Sequence, residues 1–341
     1  MTRCASIAVA LYLGLVSLGP ASFHTADLGQ QHLHRYEASR LSMACAYAIE
    51  AYGPDAEALP RIVDEAFDEV DRIDRLMSNY KADSALSRIN RDAARHPVTV
   101  EPEVFDFIVD AMRYNRESNG AFDITVGPLM KAWGFFRGEG RVPHAEELAV
   151  ARRHVGAAHV SLNPIERTIG FDAPGVELDL GGIAKGYAVD RVVRLLKARQ
   201  IASALISAGG STIYGLGAPP GHNRWDVSIQ DPTDSRKVAL TVQLKDRALS
   251  VAGISEKSFE VDGVTYSHIM DPRTGAPVQG VLSVAVLASS GTAGDALDDA
   301  LFVLGPEGSR PYLNQLPGTE AFFFLPDSAG RWTIVERRGG R

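Results

Sequence analysis

Two spacings of apolar residues alternate along this 341-residue chain. Between 57 and 78, Leu59, Ile62, Val63, Phe67, Val70, Ile73 and Met77 recur every three or four positions, which predicts a long amphipathic helix. Pro102 opens a second helix through about Glu117, with Phe105, Ile108, Val109 and Met112 on one face. A third helix follows Gly181-Gly182 to about Arg199. A fourth covers 293–304, with Thr292 as N-cap and Gly305 as stop. Short apolar or alternating runs predict strands at 42–51, 176–180, 203–207, 238–244, 258–261, 264–269, 281–288, 320–325 and 331–335. Asp262-Gly263 reads as a hairpin turn. Residues 27–40 are polar and read as a loose segment, and no internal repeat is present. The interleaved order predicts an α+β or α/β body over 27–341, built of helix and sheet layers.

Composition narrows the picture. With 45% apolar residues and a net charge of −7, the chain can bury a sizeable core and lacks the basic footprint of a nucleic-acid binder. The first 26 residues carry Arg3, an apolar run at 5–18 too short to span a bilayer, and the small residues Gly19-Pro20-Ala21. This reads as a secretory signal peptide and predicts an exported protein; an uncleaved anchor or a misassigned start codon is the alternative. Cys4 then leaves with the signal. Cys45, in the run MACAYAI, reads as a small buried residue without a disulfide partner.

Four segments carry candidate chemistry. On a helix, Asp295, Asp298 and Asp299 share one face, where like charges repel unless a cation or the helix N-terminus offsets them. A solvated acidic face is the plain alternative, but Phe302 on the same face argues for cover, and a hard divalent ion such as Mg²⁺ accounts for both. In LDLGGIAKGYAVD (178–190), a glycine turn precedes Lys185 in a first helical turn, which suits an anionic phosphate. Close packing of helix on sheet explains the same glycines, and neither a P-loop nor a Rossmann fingerprint is present. In YSHIMDPRTGAPV (266–278), His268 sits before a turn and can serve as a base only if it faces a phosphate site. Phe122, Trp133, Phe135 and Phe136 are core aromatics or the wall of an aromatic ligand.

Six segments in order resemble the FAD:protein FMN transferase family, often called ApbE: SNYKADSALSRIN (78–90), GAFDITVGPL (120–129), LDLGGIAKGYAVD (178–190), SAGG (207–210), HIMDPRTG (268–275) and GDALDDALFVLG (294–305). The resemblance runs from about Met43 to Gly305. It implies an ApbE-like (T-fold-like) body of interleaved helix and mixed-sheet layers. It also implies metal-dependent transfer of FMN from FAD to a Thr or Ser of a target protein, with AMP released. The implied partners are FAD and acceptor proteins such as subunits of membrane redox complexes. By position, Met43, Tyr80, Ala121, Phe122, Asp123, Asp179, Lys185 and Ile269 match residues that line the FAD site. The carbonyl of Gly182, with Asp295, Asp298 and Asp299, matches the metal site, and His268 matches the base. Four places depart from the family pattern: Asp299 stands where Thr is usual, Met43-Ala44-Cys45 where Met-Gly-Thr is frequent, Ser211 after Gly209-Gly210 where Asp or Asn is usual, and Val251-Ala252 where Thr-Ser is common. A metal-dependent FAD pyrophosphatase and a non-catalytic flavin binder are the alternatives.

Overall fold

A computed structural model describes residues 33–136, 138 and 140–340, so the signal-peptide reading lies outside the described residues. The chain enters through strands β1 (His34–Ser42) and β2 (Cys45–Gly53), then helix α1 (Ala58–Met77), α2 (Ala85–Asp92), β3 (Val98–Thr99) and α3 (Pro102–Glu117). Two short helices, α4 (Gly127–Ala132) and α5 (Ala145–Arg152), precede β4 (Val160–Asn163), β5 (Thr168–Phe171) and α6 (Ala184–Ala198). Strands β6 (Ser203–Ala208), β7 (Thr212–Leu216), β8 (Trp225–Gln230), β9 (Val238–Leu244) and β10 (Arg247–Gly253) follow. Next come β11 (Ser258–Val261), β12 (Val264–Ser267), β13 (Met270–Asp271), β14 (Ala276–Pro277) and β15 (Ser283–Ala288). The chain closes with α7 (Gly291–Gly308), α8 (Arg310–Leu313), β16 (Glu320–Pro326) and β17 (Trp332–Arg338).

The unbroken apolar run of β15 shows how these pieces layer. Every residue of β15 is buried, because both faces of its sheet are covered. Val284, Val286 and Ala288 face the helical core, where α1, α6 and α7 pack. Ala285 and Leu287 face a second core with Trp225 and Val227 of the β8–β9 hairpin and with Phe322 and Phe324. The sheet has eight strands in the order β1-β2-β6-β7-β10-β15-β16-β17. Contrary to the mixed sheet expected, every pairing in it is antiparallel. No helix among the described residues is long and apolar enough to cross a membrane.

The predicted helices at 57–78 and 102–117 are α1 and α3, within a residue at each end. Asp262-Gly263 turns the β11–β12 hairpin with both residues at positive φ, 52° and 75°. Three expectations fail. Part of the segment expected to be loose is β1, a sheet edge whose side chains alternate between exposed and half-buried, so no apolar stripe announces it. Residues 176–180 form no ladder strand: the Asn90 side chain takes both backbone groups of Leu178, and Asp179 N–H donates to Ile124 O. The last long helix is capped by Ser290, whose hydroxyl accepts from Ala293 N–H, and not by Thr292. Gly305, the expected stop, leaves the helical region with φ 67°, and one further turn follows.

Candidate active site

Helices α6 and α7 cross at a pair of glycines. A Cβ on Gly186 would lie 2.1 Å from Gly291 O, and one on Gly291 would lie 2.6 Å from Gly186 O. Only glycine on both sides lets the backbones approach this closely. Polar bonds lock the crossing. Asp190 of α6 accepts from Gly291 N–H at 2.7 Å, Thr292 N–H at 2.9 Å and the Thr292 hydroxyl at 2.5 Å, satisfying the free donors at the start of α7. In return, Gly186 N–H donates to Asp295 Oδ2 at 2.7 Å.

Asp295 is therefore fixed where α7 meets the start of α6. Its Oδ1 accepts from the hydroxyls of Thr212 at 2.5 Å and Ser250 at 3.0 Å, which come from neighbouring sheet strands. Asp298 is buried beside it. Burial, then repulsion from Asp299 and Asp295, pushes the Asp298 carboxyl well above the usual carboxylate range. Burial and the charge of Asp295 push Asp299 up to about 7. Gly182 belongs to the same group, since a Cβ there would lie 2.2 Å from Asp299 Oδ2 and 3.5 Å from Phe122.

Lys185 stands beside these acids. Its ammonium donates to Ser211 Oγ at 2.6 Å and lies 4.0 Å from Glu256. Burial opposes its charge, but Glu256, Asp295 and Asp298 outweigh it and raise the lysine pKa. His268 lies across Glu256, with Nε2 at 4.0 Å from the same carboxylate oxygen. Burial lowers the His268 pKa below the ordinary 6.5, although Glu256 opposes this. Phe135 packs edge-on to the imidazole.

The other predicted residues surround this group in different ways. Asp179 accepts from Gly181 N–H at 2.8 Å and so shapes the glycine turn; burial raises its pKa, against a bond from Asn79. Tyr80 is half exposed and stacks on Phe136 at 5.1 Å between ring centroids. Met43 and Ala44 form the β1–β2 turn with φ of 49° and 60°, a left-handed pair without glycine. Strain of this kind concentrates at functional sites. Gly209 lies against Cys45 in this turn, next to the segment that carries Ser211. Ile269 is buried beside His268. Ala121 and Phe122 are buried as well. Asp123 turns inward: its carboxylate binds the backbone and hydroxyl of Thr125, which in turn accepts from Gly156 N–H. Of the four aromatics, Trp133 and Phe135 join a small core, and Trp133 donates to Gly275 O.

The donor set near Gly182 is all oxygen, from clustered carboxylates and a backbone that only glycine leaves open, which suits a hard divalent cation. Among the described residues, no three His, Cys, Asp or Glu side chains are already gathered around one point. A cation here would thus depend on backbone, water or ligand oxygens to complete its shell. Sequence reasoning gave no site role to Thr212, Ser250, Asp190 and Glu256, and met Ser211 only as a departure from the family pattern. For Thr212 and Ser250 the available signal was a hydroxyl residue at a buried place in an apolar strand.

Known proteins share this fold and chain order. The ApbE family pattern matches residues 43–323. The FAD:protein FMN transferase of Treponema pallidum is 34% identical over 328 residues, covering 91% of this chain and 90% of that protein. That of Vibrio cholerae is 36% identical over 274 residues, covering 77% and 79%. Among solved structures, the Pseudomonas stutzeri flavinyl transferase ApbE in its apo form superposes with a TM-score of 0.80 at 30% identity, covering 91% of this chain and 96% of that one. The chain belongs to the ApbE family.

Proposed function

We propose that this protein is an exported, metal-dependent FAD:protein FMN transferase. The observation that carries the reading is the lock between α6 and α7, which holds Lys185 and the carboxylates of Asp295, Asp298 and Asp299 beside one glycine turn. A diphosphate between two nucleosides needs that pairing of a cation with a place for a second cation. Lys185 would bind the diphosphate, and Tyr80 with Phe136 offers an aromatic surface to a ring. Asp295, Asp298, Asp299 and the Gly182 carbonyl would hold Mg²⁺, which when bound supplies charge neutralisation at the phosphates.

His268 supplies the base. Its Nδ1 lies 3.2 Å from Lys257 O, which can only accept, so Nδ1 carries the proton and Nε2 keeps its lone pair. A Thr or Ser hydroxyl of the target protein would give its proton to Nε2 while its oxygen attacks the FMN phosphorus and AMP leaves. Acceptors such as subunits of membrane redox complexes suit an exported enzyme.

The test is incubation of purified protein with FAD, Mg²⁺ and a candidate acceptor. The expected result is a flavin-fluorescent acceptor with one AMP released per flavin attached. FMN and AMP released regardless of acceptor would assign a pyrophosphatase instead. FAD binding with no AMP under any condition would leave only a binding protein.

A further inference from the structure

Glu256 is placed where neither the reading of the sequence nor the family likeness gives it a part. It lies in the loop between β10 and β11, with two-fifths of its side chain exposed. One oxygen, Oε2, is 4.0 Å from Lys185 Nζ and 4.0 Å from His268 Nε2. Lys185 is cationic throughout. His268 is neutral at rest, because the surrounding protein disfavours its charged form and the Lys257 carbonyl holds the proton on Nδ1. A carboxylate facing the lone pair of Nε2 gains nothing from it. Once Nε2 is protonated, the same carboxylate faces an N–H of a cation.

Resting on the transferase reading above, we propose that Glu256 is a shared counter-ion: it balances Lys185 in the free enzyme and passes to the His268 imidazolium during transfer. The FAD diphosphate takes over Lys185 on binding, which frees Glu256. The acceptor hydroxyl proton then goes to Nε2 as its oxygen bonds to the FMN phosphorus. The bond from that phosphorus to the bridging oxygen breaks, and its electron pair leaves on the phosphate of AMP. The imidazolium faces Glu256 until it gives the proton to water after the products depart. Glu256 touches no reacting atom and is a positioning residue. Among the described residues, Lys257 and Lys185 also act on His268, and both disfavour the imidazolium by their charge. Glu256 is thus the carboxylate that counters them.

The test compares the wild type with Glu256→Gln and Glu256→Asp. It measures FMN transfer across pH with FAD and Mg²⁺, and NMR titration of the His268 ring in the same proteins without turnover. In Glu256→Gln, kcat should fall about ten-fold, the effect of roughly one pKa unit of lost interaction. The KM for FAD should stay level or fall, since Lys185 loses a competitor. The His268 pKa and the acid limb of the rate should move down together, and Glu256→Asp should recover part of each. A raised KM with an unmoved imidazole titration would make Glu256 merely structural and overturn the proposal. So would an unchanged kcat. A wild type that transfers no FMN refutes the functional reading itself. Active wild type matched by Glu256→Gln refutes only the role of Glu256.

Discussion

Gly186→Ala tests whether the glycine crossing builds the site. The added Cβ would meet Gly291 O at 2.1 Å, Gly291 C at 2.4 Å and Thr292 N at 2.8 Å, all backbone atoms that cannot rotate away. Restoring an ordinary 3.4 Å contact parts the helices by about 1.3 Å. The Gly186 N–H to Asp295 bond, now 2.7 Å, would stretch to about 4 Å and cease to be a hydrogen bond. Overpacking costs about 1–3 kcal/mol. Loss of a buried bond to a carboxylate costs about 1.5–3 kcal/mol. Alanine's better helix propensity returns about 1 kcal/mol. The net expectation is a destabilisation of about 1.5–5 kcal/mol, read by equilibrium urea unfolding. Gly308→Ala in α7 is the control. Its Cβ would meet only the Leu304 side chain, at ordinary contact distances of 3.6 and 4.0 Å, so stability should hold or rise by up to about 1 kcal/mol. If Gly186→Ala unfolds within about 0.5 kcal/mol of the wild type, the crossing is not the constraint described.

Further predictions separate the parts of the site. Gly182→Ala collides with the mobile end of Asp299 and not with backbone, so folding stability should change by under about 1 kcal/mol while the thermal stabilisation by Mg²⁺ is lost; a preserved Mg²⁺ shift would remove Gly182 and Asp299 from the cation site. Asp190→Asn turns an amide N–H toward donors at the start of α7 and should cost about 1–3 kcal/mol in the same urea assay; full stability would show that the cap is dispensable. Burial lowers the His268 pKa, so the base stays neutral to lower pH than an exposed histidine, and the acid limb of kcat/KM for transfer should fall below pH 6.5 and vanish in His268→Ala. A limb above pH 7, or one that survives the substitution, would assign the titration to another group.

The sequence made the site's outline legible where chemistry and spacing coincide. Asp295, Asp298 and Asp299 at helical spacing, and Lys185 after Gly181-Gly182, sit together as their pattern suggests. The groups that hold them were not legible. Ser250 and Thr212 stand in strands where small residues fill the core, and nothing in the pattern tells a hydroxyl aimed at Asp295 from one spent on its own backbone. Asp190 lies 101 residues from the Gly291 that it caps, a pairing that only the crossing of α6 and α7 creates. In the fold, α1 and α3 declared themselves because each buries one stripe. Strand β1 did not, because an edge strand with a charged face, such as Arg35 bonded to Glu37 and Glu50, carries no apolar period. The segment at 176–180 has strand composition, but its backbone is claimed by Asn90 and Ile124.

The central claim is that one diphosphate and one cation meet between the start of α6 and the acidic face of α7. Anomalous diffraction from crystals grown with FAD and Mn²⁺ in place of Mg²⁺ tests it most directly. The account predicts a single strong manganese peak beside Gly182 and the carboxylates of α7, with the FAD diphosphate between it and Lys185. A peak elsewhere, or a diphosphate bound away from Lys185, would contradict it.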